Sequence, residues 1–566
     1  MTIWTQNISK STLAGDGVAA VVVAMMLIPQ SLAYALLAGL PAEMGLYASI
    51  LPLVGYALLG SSNALSVGPV AVVSLMTATA VGKIAATGSV GYVTAAIAMA
   101  ALSGSMLLGM GLLRLGFLSN LLSHPVVSGF ITASGIIIAL TQLQHILGIE
   151  QSSEMPGGTL PALLISIGHG LTQWHGSTLA IGAGTLLFLL WARRYLPSVL
   201  RHLGLQRDSA ELLAKTAPVI SVIATIVASS ILSLETKGVA VVGSIPKGLP
   251  AFSMPPMDGT LWRELALSAA LISVIGFIES VSIGRTLAAK RNQRIDANKE
   301  LIGLGVANLA SSVSGGLPVT GGLSRSVVNF EAGAVTQLAS IFAALGIAVV
   351  TLLLTPFLYH LPKATLAATI IVAITPLIDF RMLRIAWSYS RSDFTAVALT
   401  IALTLITGVE IGVLAGIGAS IALHLHKTSQ PHIAVVGEVP GTEHFRNVLR
   451  HEVITYPQMV SLRVDESLYF ANAAYLESAI YAIVDLQEDT LAHVIIQCTA
   501  VNEIDLSALE TLESIIHELK GRGIKLHLSE VKGPVMDALE RSSFLDHMTG
   551  QIFLTQHQAC EALKVS

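Results

Sequence analysis

The chain has 566 residues, 53% hydrophobic and only 12% charged, with a mean hydropathy of +0.73; soluble domains carry roughly 25% charged residues, so the composition excludes one and implies a polytopic α-helical membrane protein. The formal charge of −4 is unevenly placed, because residues 429–566 hold nine Lys+Arg against nineteen Asp+Glu, leaving twenty-two and sixteen for the remainder, so the tail is −10 and the apolar part +6. An acidic tail excludes nucleic acid as a partner and is repelled by anionic lipid headgroups.

Apolar runs of the length needed to cross a bilayer recur from Gly15 to the neighbourhood of His424, about fourteen when short ones are included. The N-terminus, MTIWTQNISKSTLAGDG, lacks a charged region followed by a cleavage site, so the first run is expected to remain as a span. That run carries Pro29-Gln30-Ser31-Leu32-Ala33-Tyr34. The proline removes one helical hydrogen bond, and Gln30 and Tyr34, at i and i+4, share a face. After a second run at 45–59, residues 61–67 read as extended and a helix is expected to start at Gly68-Pro69, since proline suits the first helical position. About fifteen residues remain before Lys83, too few for a straight span. Further spans are expected at 94–113, 125–147, 177–196, 216–234, 265–287, 301–311, 335–358, 364–377, 394–407 and 411–424.

The stretch 311–333, SSVSGGLPVTGGLSRSVVNFEAG, breaks this pattern with glycines, Pro318 and a central Arg325. Irregular backbone at membrane depth survives only when buried in protein or lining a cavity. Gly315, Gly316, Gly321 and Gly322 let an extended segment turn into a short helix near Leu323, with Ser324 and Ser326 flanking the arginine. First-turn N–H groups without intrahelical partners, the positive end of the helix dipole, hydroxyl donors and a guanidinium together make an anion site. Glu279 is the one acidic residue well inside the eighth span, where a carboxylate needs a partner or a proton. Arg325 is the expected partner, and a purely structural ion pair is the alternative. Ser280, Ser282 and Thr286 lie on the same helix. Glu331, Asp393 and Glu410 fall at span ends, where solvation or capping is expected.

The two broken elements match in position: Gly68 lies about 53 residues beyond Gly15 and Gly322 about 57 beyond Leu265, as two seven-span repeats require. An odd number of spans inverts the second copy, so the two helix N-termini should meet near the midplane. With the N-terminus inside, cytoplasmic loops hold Arg114, Arg193, Arg194, Arg201, Arg207, Lys215, Lys290, Arg291, Arg294, Lys299, Arg381, Arg384 and Arg391, whereas Glu43, Glu150, Glu154 and Glu235 are external. This threading leaves both termini cytoplasmic, in a plasma membrane of the bacterial inner-membrane kind.

The expected domains are a transmembrane part at 1–428, a linker at 429–454 and a small cytosolic domain at 455–566. In the last, strands at 459–464, 493–497 and 525–528 alternate with helices at 473–485, 505–521 and 533–542, implying an α/β fold. His424, His426 and His432 are read as solvated rather than metal-binding. Cys498 and Cys560 show no disulfide or metal spacing, and no cofactor is expected.

The motifs IPQSLAYALLAGLPAEMGLYASILPLVGYALLGSS, VGPVAVVSLM, FIESVSIGRTLA and GGLSRSVVNFEAGAVTQL, with the tail, resemble the sulfate permease family of anion transporters over nearly the whole chain. The resemblance implies fourteen spans in two inverted repeats with spans 3 and 10 broken, a mobile core against a gate, a homodimer and elevator-like movement. It also implies a site built from Gln30 and Tyr34 on the first span, Val70 and Ala71 on the third, Glu279 on the eighth, and Ser324 and Arg325 on the tenth; as a protonatable carboxylate, Glu279 is read as the proton-coupling residue. The tail resembles a STAS domain, clearest in VIIQCTAVNEIDLSALETLESI, with Asp505 opening a helix. Where regulatory stand-alone members follow that aspartate with a phosphorylatable residue, this chain has Leu506, so no such phosphoswitch is expected.

The resulting expectation is a secondary transporter importing an inorganic or small organic anion, sulfate or a dicarboxylate ahead of bicarbonate or chloride, by proton-coupled symport. Exchange and sodium-coupled bicarbonate transport are the alternatives. A membrane anion sensor or scaffold signalling to a cytosolic protein through the STAS domain is the reading from another class. An enzyme is not expected, because no nucleophile with a base and no metal-ligand cluster appears inside the spans.

Overall fold

The computed structural model describes residues 9–120, 123–149, 159–246, 248–252, 254–486 and 490–564; Glu150 and Glu154, two of the expected external charges, lie outside them. Two compact units divide the chain at Met1–Ser420 and Ile421–Ser566.

The first unit begins with α1 (Lys10–Leu37), α2 (Ala42–Tyr47), α3 (Leu51–Leu59), β1 (Val67–Gly68), α4 (Ala71–Gly82) and α5 (Val90–Leu112). It continues through α6 (His124–Leu147), α7 (Leu160–Gly170), α8 (Gly176–His202), α9 (Arg207–Ala214) and α10 (Ala217–Ile231). A second series follows: α11 (Gly259–Ala289), α12 (Ala297–Val313), β2 (Thr320–Gly321), α13 (Leu323–Glu331), α14 (Leu338–Leu353), α15 (Lys363–Ile374), α16 (Arg381–Tyr389), α17 (Arg391–Thr407) and α18 (Val409–Ser429). Helices α7, α9 and α16 fall outside the expected spans. Each is too short to cross a bilayer, and hydropathy therefore counted them as loop.

The third span departs from expectation at its start. Gly68 and Pro69 are not helical: Gly68 pairs with Thr320, Val67 pairs with Gly321, and the helix begins at Ala71 with Val70 as its N-cap. Strand pairing with the other broken segment holds Gly68 and Val67 extended, which overrides the preference of proline for a first helical turn.

Side chains locate the direction of each broken helix along α1, whose 28 residues extend about 42 Å. At its C-terminal end the Tyr92 hydroxyl of α5 donates to Ala38 O at 2.8 Å and reaches Ala78 O of α4 at 3.5 Å, so α4 finishes there. At its N-terminal end Asp16 accepts from Val335 N, Thr336 N and Thr336 Oγ1 at 2.7, 3.0 and 2.5 Å, so α13 finishes at the opposite end. The two broken helices thus diverge from a common midpoint, as inverted repeats α1–α10 and α11–α18 require.

Helices α1–α5 pack with α11–α14 into one bundle, and α6–α10 with α15–α18 into another, the two meeting where α1 lies against α15 and α10 and where α4 lies against α6. Small residues permit the tightest internal packing. A Cβ on Gly104 of α5 would stand 2.8 Å from Leu309 N, and one on Gly305 of α12 would stand 2.8 Å from Leu108 N.

In the second unit, the stretch expected as a linker contributes β3 (Ile433–Glu438) and β4 (Phe445–Asn447) to a sheet completed by β5 (Met459–Val464), β6 (His493–Gln497), β7 (Lys525–Ser529) and β8 (Ile552–Phe553). The strand order is β4-β3-β5-β6-β7-β8, with β5 to β8 parallel. One face is covered by α19 (Ala473–Asp485) and α20 (Leu506–Gly521), whose Leu476, Ile480, Leu512 and Ile516 pack on Leu462, Val494 and Leu526. The unit also contains α21 (Gly533–Glu540) and α22 (Phe544–His547), and α23 (Gln556–Leu563) packs on the other face around Ile495 and Cys560. Asp505 is the N-cap of α20, accepting from Ala508 N at 2.8 Å. Cys498 and Cys560 are both buried free thiols.

His493 of β6 and His527 of β7 are buried side by side, Nδ1 of the first 3.1 Å from Nε2 of the second, while His527 Nδ1 accepts from Gln551 N. Burial, then His493 and Lys525, push His527 down to about 4. A depressed value means that the unfolded chain binds the proton first. This contribution is therefore complete above about pH 6.5 and is lost as pH falls towards 4. The melting temperature of residues 430–566, which have their own core, should drop over that interval, and His527→Gln should flatten the slope. Equal slopes in the two proteins would refute the assignment.

Candidate functional site

The extended segments leading into α4 and α13 lie in the interior, where every N–H and C=O needs a partner. Side chains from intact helices and from α13 itself supply many of them. Asn308 of α12 donates to Val319 O at 2.8 Å and accepts from Val319 N at 2.9 Å, in the manner of a strand neighbour. Ser280 of α11 accepts from Gly321 N, Ser326 accepts from Ser66 N, and Asn329 donates to Ala64 O. Buried Glu300 at the start of α12 accepts from Tyr56 Oη, Ser61 N, Ser61 Oγ and Ser62 N at 2.6–3.0 Å.

Arg325 completes the set. It is 1% exposed, and its Nε donates to Ser66 O at 2.9 Å, Nη1 to Pro69 O at 2.6 Å, and Nη2 to Gly68 O at 2.8 Å and Thr320 O at 2.9 Å. Four of the five guanidinium donors are thus engaged by carbonyls of both broken segments. The expected ion pair with Glu279 is absent: Glu279 Oε2 is sheltered and has no hydrogen-bond partner. The carbonyls converge from two segments onto one fork, and they take the donors an ion pair would have used.

With the arginine behind them, the two helix ends face a cavity of about 530 Å³. All seven residues singled out from the sequence line it: Gln30, Tyr34, Val70, Ala71, Glu279, Ser324 and Arg325. Neither α4 nor α13 has a side-chain cap at its N-terminus. The first intrahelical donors are Ser74 N, to Val70 O, and Ser326 N, to Gly322 O. The N–H groups of Ala71, Val72 and Val73, and of Leu323, Ser324 and Arg325, therefore have no intrahelical acceptor. Among the described residues, the side chains of Gln30, Tyr34 and Ser324 have no hydrogen-bond partner either.

The opposite wall was not anticipated. Thr369, Val372 and Ile374 of α15 and Arg193 of α8 line it, and Lys215, just beyond α9, closes an ion pair with Glu331 at the end of α13. Nothing in the local sequence marks α15 as a cavity wall, since only its packing across α1 brings it there. Glu331 was expected to be solvated or capping, and Glu410 likewise, but Glu410 is paired with Lys83 and Ser268. Asp16 and Glu300, both fully buried, were also missed, because each adjoins a polar stretch that resembles loop.

A polytopic membrane protein with inverted repeats and two uncapped helix ends on one cavity has the architecture of a solute carrier. The sulfate permease family model matches residues 13–400 and the STAS domain model residues 450–559. The chain belongs to the sulfate permease family. It is 36% identical over 571 residues to sulfate transporter 4.1, chloroplastic, of Arabidopsis thaliana, covering 99% of this chain and 80% of that one. It is 34% identical to a probable sulfate transporter of Mycobacterium tuberculosis, covering 98% and 95%. The fold is shared with murine Slc26a9, an anion transporter solved in the inward-facing state, at 22% identity and a TM-score of 0.90, over 100% of this chain and 93% of that one. The transmembrane domain of the cyanobacterial bicarbonate transporter BicA matches with a TM-score of 0.60 at 22% identity, over 72% and 98%.

Because Arg325 serves four buried carbonyls, Arg325→Ala should destabilise the detergent-purified protein by about 3 kcal/mol or more, at ~1–3 kcal/mol for each buried group left unpaired. Arg325→Lys should recover only part, since one ammonium has three donors. An alanine variant melting with the parent would refute this role.

Proposed function

We propose that this protein is a secondary active importer of a small oxyanion, sulfate first, driven by a co-transported proton. The observation that carries the reading is the pair of uncapped helix N-termini, α4 and α13, aimed into one cavity. Oriented N–H groups and two positive dipole ends suit a compact anion. The guanidinium of Arg325 stands behind them and adds a full positive charge without needing to touch the ligand, while Gln30, Tyr34 and Ser324 offer side-chain donors. The names of the relatives favour sulfate over other anions of this size.

Glu279 supplies the coupling. A proton on its carboxyl removes repulsion from the arriving anion, so anion and proton reinforce each other's binding, and reciprocity makes the effect equal in both directions. The bundle α1–α5 with α11–α14 carries the site and moves, elevator-like, against the other. The protein works as a homodimer in a plasma membrane, with the Lys215 and Glu331 end and both termini in the cytosol, where the cationic loops belong. The STAS unit offers an acidic surface to a cytosolic protein.

Uptake of labelled sulfate into proteoliposomes, with and without an inward proton gradient, tests this reading. Glu279→Gln imitates the protonated carboxyl. It should bind sulfate with little dependence on pH and fail to accumulate it against a gradient; gradient-driven accumulation at the parental level would remove Glu279 as the proton carrier. Truncation after Ser429, which keeps every element lining the cavity, should leave sulfate affinity within about twofold of the parent. Loss of binding in a stable truncated protein would show that the tail builds the site.

A further inference from the structure

The cavity runs from the two helix ends at the midpoint towards one end of the membrane unit. Lys215 and Glu331 stand at that end, beside the N-terminal end of α1. At the other end the two bundles are joined by a different polar cluster, none of which lines the cavity. Glu410, in the first turn of α18, has a side chain only 12% exposed. One of its oxygens accepts from Ser268 Oγ of α11 at 2.5 Å, and the other pairs with Lys83 Nζ at the end of α4. Ser268 and Lys83 belong to the bundle that contains both broken helices, Glu410 to its neighbour. The carboxylate therefore bridges the seam between the bundles at the end of the molecule opposite the cavity mouth.

The placement of these groups separates them from ordinary surface charges. An exposed ion pair contributes little, and Lys83 alone, 61% exposed, would fall in that class. Glu410 instead has both oxygens engaged and is largely withdrawn from solvent, so removing its partners leaves a sheltered charge unsatisfied. Lys83 is also the C-cap of α4. Displacement of the anion-facing helix relative to α18 must therefore break the pair.

We propose that Lys83, Ser268 and Glu410 form a clasp that seals the face opposite the cavity mouth and sets how much of the protein presents its site to the Lys215 face. This role rests on the elevator-like movement proposed above, and it makes the three groups positioning residues rather than ligands of the anion. Opening towards the far face requires Glu410 to give up both partners. The clasp favours one state only so far as its contacts exist in that state and are lost in the other.

Two measurements test the clasp on the full-length protein. In Lys83→Cys/Glu410→Cys, where the native Cys498 and Cys560 are buried, bridging the two thiols with a short bis-methanethiosulfonate, which spans the gap that a lysine and a glutamate side chain fill, should slow sulfate uptake tenfold or more and reductant should restore it, while the purified cross-linked protein still binds sulfate. Undiminished uptake by the fully cross-linked protein would overturn the proposal. The second measurement needs no transport, so it separates failure of the clasp from failure of the carrier reading. A reporter cysteine at Ala373, which lines the cavity from α15, is labelled by a membrane-impermeant maleimide added on the Lys215 side. Glu410→Gln should slow that labelling at least twofold, and the charge-swapped Lys83→Glu/Glu410→Lys should return it to the parental rate. Labelling unchanged in Glu410→Gln, or slowed equally in the swap, would overturn the proposal.

Discussion

The structure depends on one constraint: two lengths of unwound backbone lie at membrane depth, and their carbonyls need donors that lipid cannot supply. Arg325 meets that need with a rigid planar fork that reaches Ser66, Gly68, Pro69 and Thr320 together. A lysine has a point charge and three donors on a flexible stem, so it cannot span the same set. The β1–β2 pairing and the Arg325 contacts lock the two repeats together across their midpoint. Only from that junction can α4 and α13 set out in opposite directions with both N-termini open to the cavity.

The same choice governs the charge balance. Arg325 is satisfied by dipoles rather than by a carboxylate, so its charge remains available to the cavity, whereas an intimate ion pair would have cancelled it. The acids of this bundle follow the complementary rule. Asp16 and Glu300 are satisfied by N–H and hydroxyl donors at the entries to α14 and to the first broken segment. Among the buried acids of the described residues in this bundle, Glu279 is the one that keeps an oxygen without a donor, beside the arginine it does not touch. The proposed proton coupling draws on this difference, since an oxygen without a donor is open to a proton and a carboxylate held by four donors is not.

The two bundles are built differently within and between. Inside the bundle that carries the broken helices, glycines such as Gly104 and Gly305 bring backbones into contact, and such packing has no second arrangement of similar quality. Across the seam, contact is concentrated along α1, against α15 and α10, and where α4 meets α6, with ion pairs at either end. Dense packing within and localised, polar fastening between fits the proposed movement of one bundle against the other.

Membrane class, most of the spans, the matching positions of the broken elements, the α/β tail and seven of the residues lining the cavity were legible in the sequence, because each is written in local terms. Hydropathy sums over a window, Gly and Pro interrupt it, and a charged residue inside an apolar run stands out from its neighbours. The partners of those residues were not legible. The sequence placed Arg325 opposite Glu279, but the tertiary structure gives the arginine to carbonyls contributed by residues about 260 positions away in the first repeat, and a backbone carbonyl has no signature in the side-chain alphabet. The strands at 433–438 and 445–447 passed for linker because short polar-flanked segments acquire their identity only from a neighbouring strand. Glu331 and Glu410 looked like solvated span ends, and only packing of one bundle against the other brought Lys215 and Lys83 to them. Residue chemistry follows from local sequence; the group that answers it is chosen by long-range packing.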